Sequence, residues 1–472
     1  MSITLENKHP FKKIWIIYGL VLVAYICIGI YAGINHEPWA DEAQAWLIAR
    51  DSHSIIDVLR AVKYEGTFPF WHFIVKGFQL AGLDYEHYFV IPLFFSAIGV
   101  IILFFTETPV IGKILIPFSF YVVFQNTVVA RTYCLVFPAM MLILLFYKKR
   151  FEKPVKYNLS LFFLGLSSSY GVIIVASFML WDLILMIRKR FKDPLFKKYY
   201  IPYFSTGVIL VVLSLLSLPP ADCSSITRNY RFLSNVVEAL LMFLPGTAVQ
   251  CVFLVIFLGL CIYYFRHHLI QATVMLAPLV LYMALFYQAP WHMTYLYFLI
   301  VVLMVILRDD PPKEISRKRE LVNLISDALV MFLLVVQCFT GFYSIYIDYK
   351  EQYYPAKEVA AFLKPYYESG ASIERIGFYT ISVSPYFDEP LYSNDVCDKS
   401  YYIWSNSVPN DYLSSEAPDV VVVSNHLKSF DNSDYVCYKF EGHMIYKLQD
   451  LEYAELYVYV KESELQDTAL TP

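Results

Sequence analysis

The chain has 472 residues, of which 58% are hydrophobic and 17% charged, and its mean hydropathy is +0.50. A soluble fold of this length cannot bury so much apolar surface, which makes lipid the expected solvent for much of the chain. The net charge of −4 argues against a general nucleic-acid-binding protein, so no nucleic-acid partner is expected.

The first apolar run, residues 14–34, directly follows Lys12 and Lys13. It is longer than the core of a typical signal peptide, and no small-x-small cleavage site follows it. We therefore expect an uncleaved membrane helix with a cytoplasmic start. Further apolar runs recur as far as Ile347 and predict a polytopic α-helical membrane protein with roughly 10–13 membrane helices.

Basic clusters orient these helices, because cytoplasmic loops carry an excess of Lys and Arg. Such clusters lie at 148–150, 188–198, 266–268 and 317–319, so an even number of crossings must separate each pair. An even number of crossings before residue 148 means that one of the apolar stretches in this part does not cross. We expect the short stretch at 68–83, which contains Lys76 and Gln79, to be interfacial or re-entrant. Residues 158–187 must form two short crossings broken at 167–171. The loops 35–67 and 219–245 are then outside, with interfacial helices expected in the first.

The chain becomes more polar after residue 348. A helix at 354–367, strands at 376–381 and 419–424, and a closing hairpin of 435–440 with 444–448 predict a small α/β domain. We divide the chain into a membrane domain, 1–347, and an extracytoplasmic domain, 348–472. Cys397 and Cys437 either form a disulfide in the latter or stay free. The sequence contains no C-x-x-C pair, so no zinc or redox site is expected.

The first outer loop contains adjacent carboxylates, Asp41 and Glu42, flanked by Trp39 and Trp46. The start of a helix stabilises anions, so a purely structural role for the pair stays open. Partial dehydration beside a membrane also raises a carboxylate pKa toward that of a useful general base. The same two residues therefore suit catalysis.

Short motifs in this loop and beyond resemble those of the GT-C glycosyltransferases, and more narrowly those of bacterial relatives of the protein O-mannosyltransferases and lipid A aminoarabinose transferases. The general layout extends over most of residues 10–345. His292 stands where many relatives have Arg-His, whereas Thr67, Phe68 and Trp291 depart from the relatives' residues. The matching motifs are Pro38-Trp39-Ala40-Asp41-Glu42-Ala43-Gln44-Ala45-Trp46, Glu65-Gly66-x-x-Pro69-x-Trp71 and Ala130-Arg131-x-Tyr133.

That resemblance implies a GT-C fold in the plasma (inner) membrane and sugar transfer, usually with inversion, from a polyprenyl-phosphate donor. The implied acceptor is an envelope glycan, lipid or protein at the outer face. Asp41 matches the family's proposed general base, and Glu42 would orient the acceptor or adjust the pKa of Asp41. No cofactor is implied. Asp41 and Glu42 would be the place for a divalent cation, which the closer relatives do not generally require.

Further residues are expected to bind the substrates. Arg131 suits the departing lipid phosphate because a guanidinium matches phosphate oxygens, and His292 would donate to phosphate or sugar. Arg131 is alternatively a snorkelling or ion-paired arginine, and His292 an interfacial cap. Trp39 and Tyr133 would bound the sugar or lipid, or anchor the membrane rim. Glu65 is carried over from the second motif as a substrate contact.

The alternative function is a transporter or flippase for a lipid-linked or anionic substrate. Intramembrane polar residues and a broken hairpin also occur in transporters. Two observations argue against it: no repeat relates the two halves of the sequence, and the acidic motif lies in a loop instead of at the membrane midplane.

Overall fold

The computed structural model describes residues 9–465 apart from 190–191, 193, 225–249, 287–288, 309–316, 397–398, 409–411, 416, 425–433, 447–448 and 451–454. Helices dominate this part of the chain as far as residue 368, and a small sheet follows. The expected fold class is therefore confirmed in outline, as a mainly helical chain with a C-terminal sheet.

The helices of the first half differ widely in length. They are α1 (His9–Asn35), α2 (Ala40–Asp51), α3 (Ile55–Val62), α4 (Phe70–Leu80), α5 (Val90–Phe105), α6 (Val110–Leu115), α7 (Val136–Tyr147), α8 (Pro154–Gly165) and α9 (Ser169–Arg188). The helices described after these are α10 (Pro194–Leu216), α11 (Gln250–Phe265), α12 (Leu269–Leu285), α13 (Met293–Ile306), α14 (Arg317–Lys350), α15 (Ala356–Glu368) and α16 (Glu462–Leu465).

Within the described residues, five helical stretches are long and apolar enough to cross a membrane. They are Lys13–Asn35, Tyr85–Phe105, Ser169–Arg188, Phe196–Leu216 and Glu320–Lys350. Their outer faces are apolar too: Leu20 on α1, Val208 on α10 and Phe339 on α14 are each more than 60% exposed. Apolar surface this extensive is unfavourable in water and suits contact with lipid.

The stretch predicted not to cross, 68–83, forms the short helix α4. Its 11 residues span about 16 Å, roughly half the thickness of a hydrocarbon core. It packs against α2 at one end of the bundle. We call this end, which holds α2 and Arg131, the motif end. The other end, which holds Lys148 and Arg308, is the basic end.

The bundle has two breaks. Ser168 separates α8 from α9 and accepts hydrogen bonds from the N–H groups of Tyr170 and Gly171, which confirms the predicted interruption. The apolar residues 110–127 do not form one continuous helix but α6, a 3-10 turn at Ile116–Phe118 and a π-helical turn at Tyr121–Gln125. Pro117 explains this break, since proline cannot continue the α-helical hydrogen-bond pattern.

The C-terminal sheet has strand order β1-β2-β6-β3. Its strands are β1 (Ile373–Ile376), β2 (Val420–Ser424), β3 (Tyr435–Glu441) and β6 (Glu455–Lys461), with β4 (Ile445–Tyr446) and β5 (Gln449–Asp450) as a separate hairpin. β1 and β2 are parallel, whereas β6 runs antiparallel to both β2 and β3. The order places β6 in the interior of this sheet.

Two predictions about this sheet are wrong. The strand expected at 376–381 ends at Ile376, because Gly377 has φ 101° and a 3-10 segment, Phe378–Tyr386, follows. The prediction that 435–440 forms a hairpin with 444–448 is also wrong, since β3 pairs with β6, a strand that was not predicted. Cys437 is exposed on β3 and Cys397 lies outside the described residues, so their pairing stays a prediction.

The C-terminal region packs directly onto the first loop. Gln44 of α2 donates to the carbonyl of Tyr402 and accepts from its N–H at 2.7 and 2.8 Å. Arg50 donates to the carbonyl of Phe387 at 2.9 Å, and Asp51 accepts from the N–H of Ser400 at 2.8 Å. These contacts fix α2 beneath the C-terminal domain.

Candidate functional site

The start of α2 presents two carboxylates in different directions. Trp39 has an extended backbone just before the helix, and Asp41 and Glu42 occupy its first turn. Neighbouring positions on an α-helix are rotated by about 100°. Asp41 consequently lines a pocket, whereas Glu42 points into the protein core.

Asp41 and Arg131 form the central contact of the site. Their Oδ2 and Nη1 atoms are 2.6 Å apart, and the two side chains are 22% and 24% exposed. Burial raises the pKa of Asp41, while the adjacent guanidinium acts in the opposite direction. The guanidinium also lies 5.9 Å from the centre of the Tyr133 ring. The base and phosphate contact expected from the sequence are therefore neighbours.

The pocket around this pair is small, with a volume of about 20 Å³. A cavity of that size holds about one water molecule, so this conformation does not admit a sugar. Trp39 forms part of its wall with its ring 5.4 Å from that of Trp291. The lining residues are Trp39, Asp41, Phe124, Gln125, Val129, Arg131, Tyr133, Trp291, Tyr353 and Met444.

His292 lies behind the Tyr133 wall and does not line the pocket itself. Its ring is 5.9 Å from that of Tyr133 and stacks on Tyr170 at 4.4 Å. Burial lowers the pKa of His292 to about 3, and the charge of Arg131 contributes in the same direction. Its Nδ1 accepts from the N–H of Ala289 at 3.1 Å, which leaves the proton on Nε2. His292 is therefore a neutral donor.

Glu65 is the second carboxylate with a shifted pKa near the Asp41–Arg131 pair. Burial raises the pKa of Glu65 to about 7, although the hydrogen bond from Gln44 and the charge of Arg131 act against it. Gln44 donates to Glu65 Oε1 at 2.7 Å. Because Glu65 interacts electrostatically with both Asp41 and Arg131, its ionisation changes the charge that a ligand meets there.

Glu42 is fully buried and serves other residues of the protein. Its Oε1 accepts from the N–H of Ala130 at 2.5 Å, and its Oε2 accepts from the N–H of Trp39 at 3.2 Å. His36 Nε2 lies 3.2 Å from the same Oε2. A carboxylate buried in this way suits a positioning residue better than one that contacts an acceptor, and its charge also contributes to the raised pKa of Asp41, one of the two roles expected for it. It holds the segment carrying Arg131 against α2.

His36 and Asp348 complete this arrangement and were not identified from the sequence. His36 Nδ1 is 2.9 Å from Asp348 Oδ2, at the end of α14. Burial alone would lower the pKa of His36, but the charges of Asp348 and Glu42 outweigh it and raise the pKa to about 10. An acidic residue closing the last apolar run was the available signal. A series of contacts, from Asp348 through His36 and Glu42 to the backbone of Ala130, therefore connects α14 to the site.

His72 on α4 was also overlooked, although it directly follows Trp71 of the second motif. It is buried, and its Nδ1 has no hydrogen-bond partner within the described part of the chain. Burial lowers the pKa of His72 to about 3, and Arg131 contributes in the same direction. His72 is thus a neutral imidazole within electrostatic range of the Asp41–Arg131 pair.

The pH dependence of stability tests the charge on His36. Protonated His36 stabilises the fold fully below its unfolded pKa of about 6.5, and this contribution is lost as pH rises through its folded pKa of about 10. Thermal melting of the purified protein should therefore show stability falling across this window. The fall should be shallower in His36→Gln but unchanged in His87→Gln, which removes an exposed histidine. Equal slopes in all three proteins would contradict the assignment.

Among the described residues, no group of three or more His, Cys, Asp or Glu side chains is arranged to hold a metal ion. No protein-family model, curated protein or solved structure matches the chain.

Proposed function

We propose that this chain is a multi-pass membrane glycosyltransferase that transfers a sugar from a polyprenyl-phosphate donor to a cell-envelope acceptor. In this proposal it lies in the plasma (inner) membrane with a cytoplasmic N-terminus and an extracytoplasmic C-terminal domain. The observation that carries the proposal is the Asp41–Arg131 pair at 2.6 Å, in an aromatic-walled pocket at the motif end of an apolar bundle.

Asp41 acts as the general base. Its carboxylate takes the proton of the acceptor hydroxyl while that oxygen attacks the anomeric carbon of the donor. A new glycosidic bond forms as the bond from the anomeric carbon to the phosphate oxygen breaks, and the electron pair leaves with the phosphate. The raised pKa of Asp41 favours proton acceptance.

Arg131 receives the departing phosphate. A guanidinium has five N–H donors, so contact with Asp41 through Nη1 leaves others for phosphate oxygens. Its charge also favours the ionised form of Asp41, against the effect of burial. His292 packs against Tyr133, while Trp39 and Tyr133 provide ring surfaces for the sugar.

Substrate entry requires the pocket to open from its closed state of about 20 Å³. Trp291 and Met444 bound it from two different parts of the chain, the turn before α13 and the segment after β3. Displacement of either side chain would enlarge the pocket while Asp41 and α2 stay in place. The lipid portion of the donor would remain along the apolar outer faces of the helices.

Reconstitution tests the function. The purified protein in liposomes receives a polyprenyl-phosphate sugar labelled in the sugar, together with an envelope extract as acceptor. We expect labelled product with a new glycosidic bond, detected by mass spectrometry, and release of unglycosylated polyprenyl phosphate. Movement of intact donor across the bilayer, with no new glycosidic bond and no loss in Asp41→Asn, would establish the transporter alternative instead.

Donor binding should depend on the ionisation of Glu65. As pH rises through about 7, Glu65 gains a negative charge that competes with the donor phosphate for Arg131. The KM for the donor should therefore rise across this pH range, and Glu65→Gln should flatten that rise. Glu86→Gln, an exposed change on the same side of the molecule, is the control. A pH dependence of KM that survives in Glu65→Gln would contradict this role.

A further inference from the structure

A second cavity lies at the basic end of the bundle. Its volume is about 440 Å³, within the usual range for small-molecule sites. Arg308, at its mouth, follows α13, whereas His292 precedes that helix. The intervening 16 positions correspond to roughly 24 Å along a helix, so this cavity is separate from the Asp41 pocket.

The walls of this cavity are apolar and come from different helices. Ile111 lies on α6, Val301 and Met304 on α13, and Met331 and Leu334 on α14. Met331 is also among the exposed hydrophobic residues of the outer surface, which continues the apolar wall toward lipid. A cavity of this kind suits a hydrocarbon chain.

The mouth of the cavity carries two cations and two carboxylates. Lys148 pairs with Glu107, and Arg308 lies 3.6 Å from Asp327. All four side chains are at least half exposed, and exposed ion pairs typically contribute only about 0–1 kcal/mol. Replacing these two ion pairs by contacts with a ligand that carries both charges therefore costs little free energy.

We propose that this cavity binds a phospholipid with a zwitterionic, amine-bearing headgroup. The headgroup phosphate contacts Lys148 and Arg308, and its ammonium group contacts Glu107 and Asp327. One acyl chain enters between Ile111 and Leu334. A purely anionic headgroup would satisfy the two cations but leave both carboxylates beside its negative charge, so the charge pattern selects a zwitterion.

Lipid retention by the purified full-length chain tests this proposal. Native mass spectrometry would compare phosphatidylethanolamine, phosphatidylglycerol and soluble glycerophosphoethanolamine as probes. We expect phosphatidylethanolamine to bind about tenfold more tightly than phosphatidylglycerol, with no retention of the soluble headgroup. Equal or tighter binding of phosphatidylglycerol would overturn the headgroup assignment, and retention of the soluble probe would overturn the role of the chain.

Two variants separate the headgroup from the acyl chain. Lys148→Gln combined with Arg308→Gln should weaken phosphatidylethanolamine binding about tenfold, whereas Lys153→Gln combined with Lys156→Gln changes exposed lysines of the same end that do not line the cavity. Met304→Trp should obstruct part of the apolar cavity and weaken retention while leaving the four charges in place. Undiminished retention in Met304→Trp, with an unchanged gel-filtration profile, would overturn the site.

Discussion

Asp41→Asn should lower the rate of sugar transfer by about 10²–10⁴-fold, the usual contribution of a general base. The substitution preserves the size of the side chain and an oxygen for Arg131, so the local packing stays intact. An amide cannot accept the proton of the attacking hydroxyl. Initial rates in the reconstituted assay, measured over a range of donor concentrations, would show the loss in kcat.

The donor KM gives this variant a second readout. Removing the negative charge beside Arg131 frees the guanidinium for phosphate, so KM for the donor should stay the same or fall. Asp57→Asn is the matched control, because it makes the same chemical change in the same loop at an exposed helix cap. Wild-type kcat in Asp41→Asn would exclude Asp41 as the base, whereas a similar loss in Asp57→Asn would indicate damage to the loop.

Glu42→Gln should lower the free energy of unfolding by about 3–5 kcal/mol, the typical cost of breaking a buried ion pair. The carboxylate accepts from two backbone N–H groups and neighbours the His36 imidazole. An amide offers one acceptor oxygen in place of two and turns an N–H donor toward these groups. Unfolding measured by denaturant titration in micelles would detect the loss.

Two comparisons separate positioning from direct catalysis at Glu42. Glu37→Gln makes the same change in the same loop, where the carboxylate is only partly buried and accepts hydrogen bonds from Gln352 and the backbone of Lys357, and it should cost far less stability. The double variant of His36→Gln and Glu42→Gln should cost less than the sum of the single variants, because the two side chains share one contact. A large loss of kcat in Glu42→Gln with unchanged stability would instead indicate a direct catalytic role.

The sequence predicts those features that depend on local composition. Apolar runs predict the helices, the serine-rich interruption predicts the break before α9, and Lys76 and Gln79 indicate that 68–83 is not a crossing. The neighbouring positions of Asp41 and Arg131 follow from a family resemblance together with topology. For the helices, the break and residues 68–83, the deciding residues lie within one short segment of the chain.

Contacts between distant segments determine the remaining features. His36 and Asp348 are 312 positions apart, so nothing local to either residue reveals their pairing. Which of Asp41 and Glu42 faces the pocket depends on the orientation of α2, and the contacts of α2 with the C-terminal domain contribute to that orientation. β6 has the alternating pattern of a strand, but the pairing that places it between β2 and β3 is non-local.

The contact between α2 and Tyr402 has a consequence for how the protein is made. Gln44 leaves the ribosome long before Tyr402, 358 positions later, and His36 leaves long before Asp348. During synthesis the first loop therefore lacks its contacts with Asp348 and Tyr402 while the later helices insert. The contacts that fix the first loop can be complete only after these last segments have been synthesised, which makes the assembly of this region a late event in biogenesis. A chain that stalls before Asp348 would leave His36 without one of its two carboxylate partners and Gln44 without Tyr402, a feature by which membrane quality control could distinguish unfinished copies.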